Sequence, residues 1–286
     1  MLFLGHAIGI FSEIMNSGAK ETPEDRTGFL PRVGRICRRT AELGYAGYAL
    51  LSTFLFWIFS WLVVAVLPRL SWRWTVVRRA SRLLWRVTCT PLAIEGVENF
   101  PRDGRCVIVS NHASYLDSFV LTALLPMPVT FVAMVELKRN PLVHFYLRRL
   151  DTEFVDRWQK ERRAEDTQRI IGRARENRTL VFFAEGGMSR RTGLRRFKLG
   201  AFTAAVESGL PIVPVVIRGT RSMFPPGTHL VRRGAISVTV GPAIDTRRIR
   251  EEMNTDTWTV ARKLRVITRD YILRHCGEPD ISDEGV

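Results

Sequence analysis

The chain has 286 residues, enough for one large domain or two small ones around a proper core. Apolar residues make up 46%, an ordinary globular share, and there is no repeat or low-complexity tract, so a disordered or fibrous chain is excluded. Lys and Arg number 43 against 28 Asp and Glu, a formal charge of +15, which calls for an anionic partner such as nucleic acid, acidic lipid or a phosphorylated substrate.

Residues 1–42 read as a basic lead-in, with Arg32, Arg35, Arg38 and Arg39 near its end. No basic stretch followed by a short apolar core opens the chain, so no cleaved secretory signal is expected. From Leu43 to Pro68, "LGYAGYALLSTFLFWIFSWLVVAVLP", no residue is charged. A helix of about 20 apolar residues crosses a bilayer core, so this segment is long enough to do so. Tyr45, Tyr48, Trp57 and Trp61 within it suit an interface. A simple span leaves one flank poor in Lys and Arg, yet Arg69, Arg73, Arg78, Arg79, Arg82 and Arg86 follow on the far side. Both flanks are therefore expected to touch anionic headgroups. The segment either dips in and returns or lies at the interface beside a second helix, for which "WRWTVVRRASRLLWRV" (72–87) has the period; a single span is the remaining alternative. Residues 43–88 thus form a membrane-embedded or interfacial helical unit.

Residues 89–286 read as an α/β domain, a largely parallel sheet flanked by helices. Strands are predicted at 106–110, 129–134, 153–155, 179–183, 212–217 and 235–240, and helices at 116–125, 162–177 and 199–208. Cys37, Cys89, Cys106 and Cys276 have no paired spacing and read as reduced thiols facing the cytosol. In such sheets the ligand cleft lies beyond the carboxyl ends of the strands. Three polar clusters fall there: "SNHASYLD" after 106–110, "AEGGMSRR" after 179–183 and "RGTRS" after 212–217.

His112 and Asp117 are five residues apart, about 140° around an ideal helix, so they cannot share a helical face. The spacing predicts His112 in the turn after the strand, Ser114 as helix N-cap and Asp117 in the first turn, reaching back to one imidazole nitrogen. A histidine so held is a general base for a hydroxyl; the plain alternative is a turn histidine beside a capping aspartate. Around Glu185, Gly186 and Gly187 the glycines let backbone N–H groups approach an anion, and Arg190 and Lys198 add cations. Arg195 and Arg196 read as solvated. Arg157, at the end of a short strand, is either a phosphate ligand or a surface ion-pair partner.

"NHASYLD" resembles the first motif, Asn-His-four-any-Asp, of the 1-acylglycerol-3-phosphate acyltransferases, a glycerolipid acyltransferase family. "FVDR" (154–157), "FFAEGGMSR" (182–190) and "LPIVPV" (210–215) resemble its second, third and fourth motifs in order and spacing, and "FKLGAF" (197–202) sits where such sequences carry a basic residue and Gly. The likeness covers about residues 85 to 245. It implies an acyl transfer from a coenzyme A or acyl-carrier-protein thioester to the hydroxyl of a lysophospholipid, with His112 as base and Asp117 as its orienting partner. It further implies Glu185 and Gly186 as site-formers and Arg157 as phosphate ligand. Asn111, Gly187, Arg190, Lys198 and Pro214 are this chain's further candidate substrate-binding residues, and of the cations Arg157, Arg190 and Lys198 only Arg157 sits where the family has one. No tightly bound cofactor and no metal are expected, and the active site is expected on the cytoplasmic face of a membrane. One departure stands out: the family has Thr-Arg after Glu-Gly, and this chain has Gly187 and Met188, with Arg190 two residues further on.

Other classes fit less well. Charge alone suits nucleic acid, but the uncharged segment does not and no binding motif appears. His112, Asp117 and Glu185 could ligate a metal, yet none of the five histidines pairs at ligand spacing with another His or Cys. A non-catalytic membrane anchor is the remaining alternative.

Overall fold

The computed structural model describes residues 29–156, 160–176, 178–228 and 230–282. It opens on α1 (Phe29–Val66), an unbroken helix of 38 residues. The apolar segment therefore does not dip and return within itself; the chain turns at Leu67–Arg69 and comes back as α2 (Leu70–Val87). The two helices run antiparallel, since Tyr45 and Tyr48 near the middle of α1 donate their hydroxyls to Thr88 O (3.1 Å) and Val87 O (2.8 Å) at the end of α2.

At the hairpin tip the last carbonyls of α1 have no intrahelical donors. Two arginines supply them. Arg73 donates to Leu67 O and Pro68 O, and Arg149 to Val64 O, Ala65 O and Leu67 O, all within 2.7–3.1 Å. Cations there also complement the helix dipole. Arg149 closes α4 (Pro141–Arg149), which Ser60 and Trp61 of α1 also reach through the Tyr146 hydroxyl (2.6 Å) and Leu142 O (3.3 Å). From Tyr45 onward α1 thus rests on α2 and α4. One stripe, Tyr45, Ala49, Phe56, Ser60 and Val64, is buried. The opposite one, Leu51, Leu55, Phe59, Leu62 and Val66, is at least half exposed throughout.

The remaining elements form a seven-stranded sheet. The strands are β1 (Leu92–Glu95), β2 (Val107–Ser110), β3 (Thr130–Met134), β4 (Glu153–Val155), β5 (Leu180–Phe183), β6 (Ile212–Arg218) and β7 (Ile236–Val240). Their order is β1-β7-β6-β2-β5-β3-β4. The five from β6 to β4 are parallel; β7 is antiparallel to β6, and β1 parallel to β7. The central strand β2 is buried throughout, as an apolar run in a parallel sheet must be when both faces are covered. On one face Ile108, Val213, Val215 and Ile217 pack with the hairpin and with α3 (Leu116–Leu124). On the other Val107, Val109, Ile212 and Val216 pack with α5 (Lys160–Arg175), α6 (Gly200–Ser208) and α9 (Thr257–Cys276).

The predicted strands and helices recur with ends moved by one or two residues. Three further helices, α4, α8 (Thr246–Met253) and α9, and the edge strand β1 complete the set, together with the single turn α7 (Thr220–Met223). Each of α4, α8 and α9 carries its start signal in the sequence: Asn140, Asp245 and Asp256 accept the first backbone N–H groups of the helix that follows.

Candidate active site

The sheet stops at Ser110, and the next residue extends it by other means. The Asn111 side chain donates to Ile217 O (2.8 Å) and accepts Ile217 N–H (2.9 Å), copying one rung of the β2–β6 ladder. Both ends of that amide are therefore occupied by β6. His112 is the first residue free of the sheet. Its backbone N–H donates to Glu185 Oε1 (2.8 Å), in the loop after β5.

His112 Nδ1 lies 3.0 Å from Asp117 Oδ2. The same carboxylate oxygen accepts the N–H groups of Ala113 (2.7 Å) and Ser114 (2.8 Å). Asp117 is fully buried and the imidazole nearly so. With three N–H donors on a carboxylate, Nδ1 carries the proton, and Nε2 presents its lone pair; that tautomer is assigned from the network. Nε2 has no partner among the described residues. Phe183 stacks on the ring, centroids 3.9 Å apart and planes 15° from parallel. The imidazole is thus held at one nitrogen and one face.

Ser114 serves differently from the cap expected of it. Its hydroxyl donates to Phe224 O (2.6 Å) and accepts Leu116 N–H (3.2 Å), while Asp117 reaches back to the preceding N–H groups from the first turn of α3. The loop is thereby fastened to the segment after α7.

Glu185 is 4% exposed. Its Oε1 holds His112, and its Oε2 accepts Arg195 N–H (3.2 Å) with Arg195 Nε 3.5 Å away. Burial pushes this carboxyl upward from its ordinary pKa, opposed by the two N–H groups and by the Arg195 charge. Arg195 is therefore not a solvated cation: it pairs with Glu185 and donates to Gly187 O. Arg196 is exposed, in line with its reading. Gly186 (φ 78°) and Gly187 (φ 151°) turn the loop through conformations that L side chains avoid, and the Lys198 stem lies over Gly186.

Lys198 and Arg190 are exposed, and neither head group has a hydrogen-bond or ion-pair partner among the described residues. Pro214 lies inside β6, in register with Val109, its carbonyl accepting Gly241 N–H (2.8 Å), apart from the polar cluster. Arg157 lies outside the described residues. Among the described residues no three His, Cys, Asp or Glu side chains converge as metal ligands. Phe183 was not singled out in the sequence. Its stacking follows from register, because Ser110 of β2 is paired with Phe183 of β5.

A histidine–aspartate pair at the carboxyl edge of a parallel α/β sheet, with the second ring nitrogen unpartnered among the described residues, is an arrangement able to take a proton from a hydroxyl. Residues 91–218 match the family model described as Acyltransferase. Proteins named 1-acyl-sn-glycerol-3-phosphate acyltransferase are among its relatives. One from Brassica napus is 30% identical over 149 residues, 51% of this chain and 43% of that protein. One from Limnanthes douglasii is 33% identical over 178 residues, 59% and 57% of the two chains. One from Saccharomyces cerevisiae is 29% identical over 162 residues, 56% and 53%. The chain spans about half the length of these curated relatives. The fold is that of the crystal structure of the 1-acyl-sn-glycerophosphate acyltransferase from Thermotoga maritima, with a TM-score of 0.67 and 20% identity over 83% of this chain and 95% of that one.

Proposed function

We propose that the protein is a membrane-bound O-acyltransferase that moves a fatty acyl group from an acyl-CoA or acyl-carrier-protein thioester to the free hydroxyl of 1-acylglycerol-3-phosphate, giving phosphatidic acid. The single observation that carries this reading is the His112–Asp117 contact at 3.0 Å with Nε2 left open. Nε2 takes the proton of the acceptor hydroxyl, and the oxygen attacks the thioester carbonyl. Collapse of the tetrahedral species breaks the C–S bond, and the thiolate leaves with the proton held by the imidazolium. Asp117 stabilises that cation and fixes the ring. No acyl-enzyme forms.

Glu185, Asn111 and the two glycines keep the base and the basic loop in place; Arg157, Arg190 and Lys198 are the cations offered to substrate phosphates. An apolar cavity lined by Tyr45, Thr53, Trp85, Leu116, Phe119 and Phe224 lies between the hairpin and α3. It suits an acyl chain whose reacting end lies at the adjoining loop.

The exposed apolar stripe of α1 and the arginines at both ends of the hairpin favour a monotopic insertion into an anionic leaflet, with the active site on its cytoplasmic face. α1 is long and apolar enough to cross a bilayer, but its packing on α2 and α4 supports an in-plane attachment. Met188, where the family pattern has a cation, favours a second reading in which the acceptor bears another headgroup. Purified protein offered labelled acyl-CoA with lysolipids of varied headgroup tests both. Transfer to lysophosphatidate that His112→Ala abolishes is the expected result, and no transfer to any lysolipid overturns the assignment.

A further inference from the structure

The loop after β5 is held by the far end of the chain. Arg221, in α7, donates from Nε to Glu278 Oε1 (2.7 Å) and from Nη2 to Glu278 Oε2 (3.0 Å), while its Nη1 donates to Ser189 O (2.9 Å) and Arg191 O (3.2 Å). Glu278 Oε2 also accepts Gly193 N–H (3.1 Å). Beside this, Leu194 N–H donates to Pro279 O (2.8 Å) and Ile281 N–H to Leu194 O (3.2 Å), so the tail after α9 pairs with the loop like a short strand. A Cβ on Gly193 would come within 2.7 Å of Ile281 Cγ2, so the two segments are seated without space between them.

This clamp fixes the carbonyls on both sides of one residue, Arg190. Its own guanidinium is exposed and unpaired among the described residues. It lies over Gly227, where a Cβ would meet Arg190 Nε at 2.5 Å. Gly227 is three residues past Phe224, whose carbonyl takes the Ser114 hydroxyl in the loop of the base. An uncompensated cation therefore lies over the same segment, 224–227, that receives the Ser114 hydroxyl. Arg221 itself is neutralised by Glu278 and is no substitute.

We propose that the C-terminal tail is part of the acceptor site: Glu278, acting through Arg221, and Gly227 are positioning residues that aim Arg190 at the phosphate monoester of the acceptor. This rests on the lysophosphatidate reading given above. A guanidinium donates two parallel N–H groups to a phosphate, and that match is lost when its plane is turned away. Arg221, Gly227 and Glu278 all lie beyond residues 91–218, so the family motifs do not carry this arrangement.

The test is binding of lysophosphatidate in neutral detergent micelles to the full chain, against monoacylglycerol of the same acyl chain. Glu278→Gln and Gly227→Ala are each expected to weaken lysophosphatidate binding at least about tenfold, the loss of a charge-assisted hydrogen bond. Monoacylglycerol binding should be unchanged. In Glu278→Gln, trypsin should also cut faster after Arg190 and Arg191, a change that a variant failing only in acceptor recognition would not show. Unchanged lysophosphatidate binding in both single variants overturns the proposal, and so does an equal loss for monoacylglycerol. Wild-type turnover is read separately: binding that depends on Glu278 without any acyl transfer sinks the transferase assignment and leaves the phosphate site standing.

Discussion

Phe183 lies flat against His112, ring centroids 3.9 Å apart, and is itself backed by Phe131 at 6.3 Å, which stacks on Trp74 of the hairpin at 6.2 Å. The imidazole ends a column of aromatic rings that begins in α2. An aromatic face favours the imidazolium formed when the base takes its proton and blocks rotation of the ring. Phe183→Leu should therefore lower kcat/KM about 2- to 13-fold, the equivalent of roughly 0.5–1.5 kcal/mol for such a pair. Phe183→Trp should keep most of the activity. Steady-state kinetics with near-identical melting temperatures checks this, and a fully active Phe183→Leu enzyme would show that stacking is incidental.

The two members of the proton-handling pair should separate kinetically. His112→Ala should reduce turnover by about 10²–10⁴. Asp117→Asn should reduce it less than His112→Ala, since the ring can stay in place while the charge facing the imidazolium is gone. Yet Asp117→Asn should lose more stability, because Oδ2 also takes the N–H groups of Ala113 and Ser114. Rates and thermal unfolding of the two variants, measured together, decide it.

Glu185 ties stability to pH. Its carboxyl is raised in the folded protein, by burial above all. A group with a raised folded pKa stabilises fully below its unfolded value, and that contribution is lost as pH rises through the folded value. Glu185→Gln lacks this component. The stability difference between wild type and variant should favour wild type most at the acid end and shrink as pH climbs from the ordinary 4.5 through the raised value. Melting temperatures of both proteins across that range supply the check; a constant difference would mean that folding does not raise the Glu185 carboxyl.

The two stripes of α1 should respond oppositely to the same kind of change. Leu55→Glu with Phe59→Glu, on the exposed stripe, should leave melting nearly unchanged and abolish flotation with vesicles of anionic lipid. Phe56→Ala, on the buried stripe, should lower stability by about 3–5 kcal/mol, as large-to-small core changes do, and spare vesicle binding in the folded fraction. Equal loss of binding in both would argue against an in-plane helix.

Much of this is legible in the sequence, for identifiable reasons. The strands of a doubly covered sheet are short apolar runs with little else to be, and the five-residue gap from His112 to Asp117 admits few geometries. What the sequence does not display arises between segments distant along the chain. Arg195 reads as one basic residue among several, and its pairing with Glu185 appears only once the loop has folded back on itself. Phe183 acquires its partner from strand register, and Glu278 reaches its loop across 85 residues. β1 is a four-residue edge strand whose last three residues are exposed, which leaves no periodicity to read. The hairpin was within reach as one of several alternatives, but its tip depends on Arg149, far along the chain.

The Asn111 rung has a further consequence. Its two hydrogen bonds require Ile217 to be in place, and the neighbouring His112 backbone requires Glu185. Three strands brought together from residues 107 to 218 must therefore be in register before the imidazole has its working orientation. A partly assembled chain, however compact, has no competent base. On the proposed mechanism acyl transfer would therefore be an all-or-none reporter of native assembly, and regain of turnover during refolding should lag behind regain of helical signal.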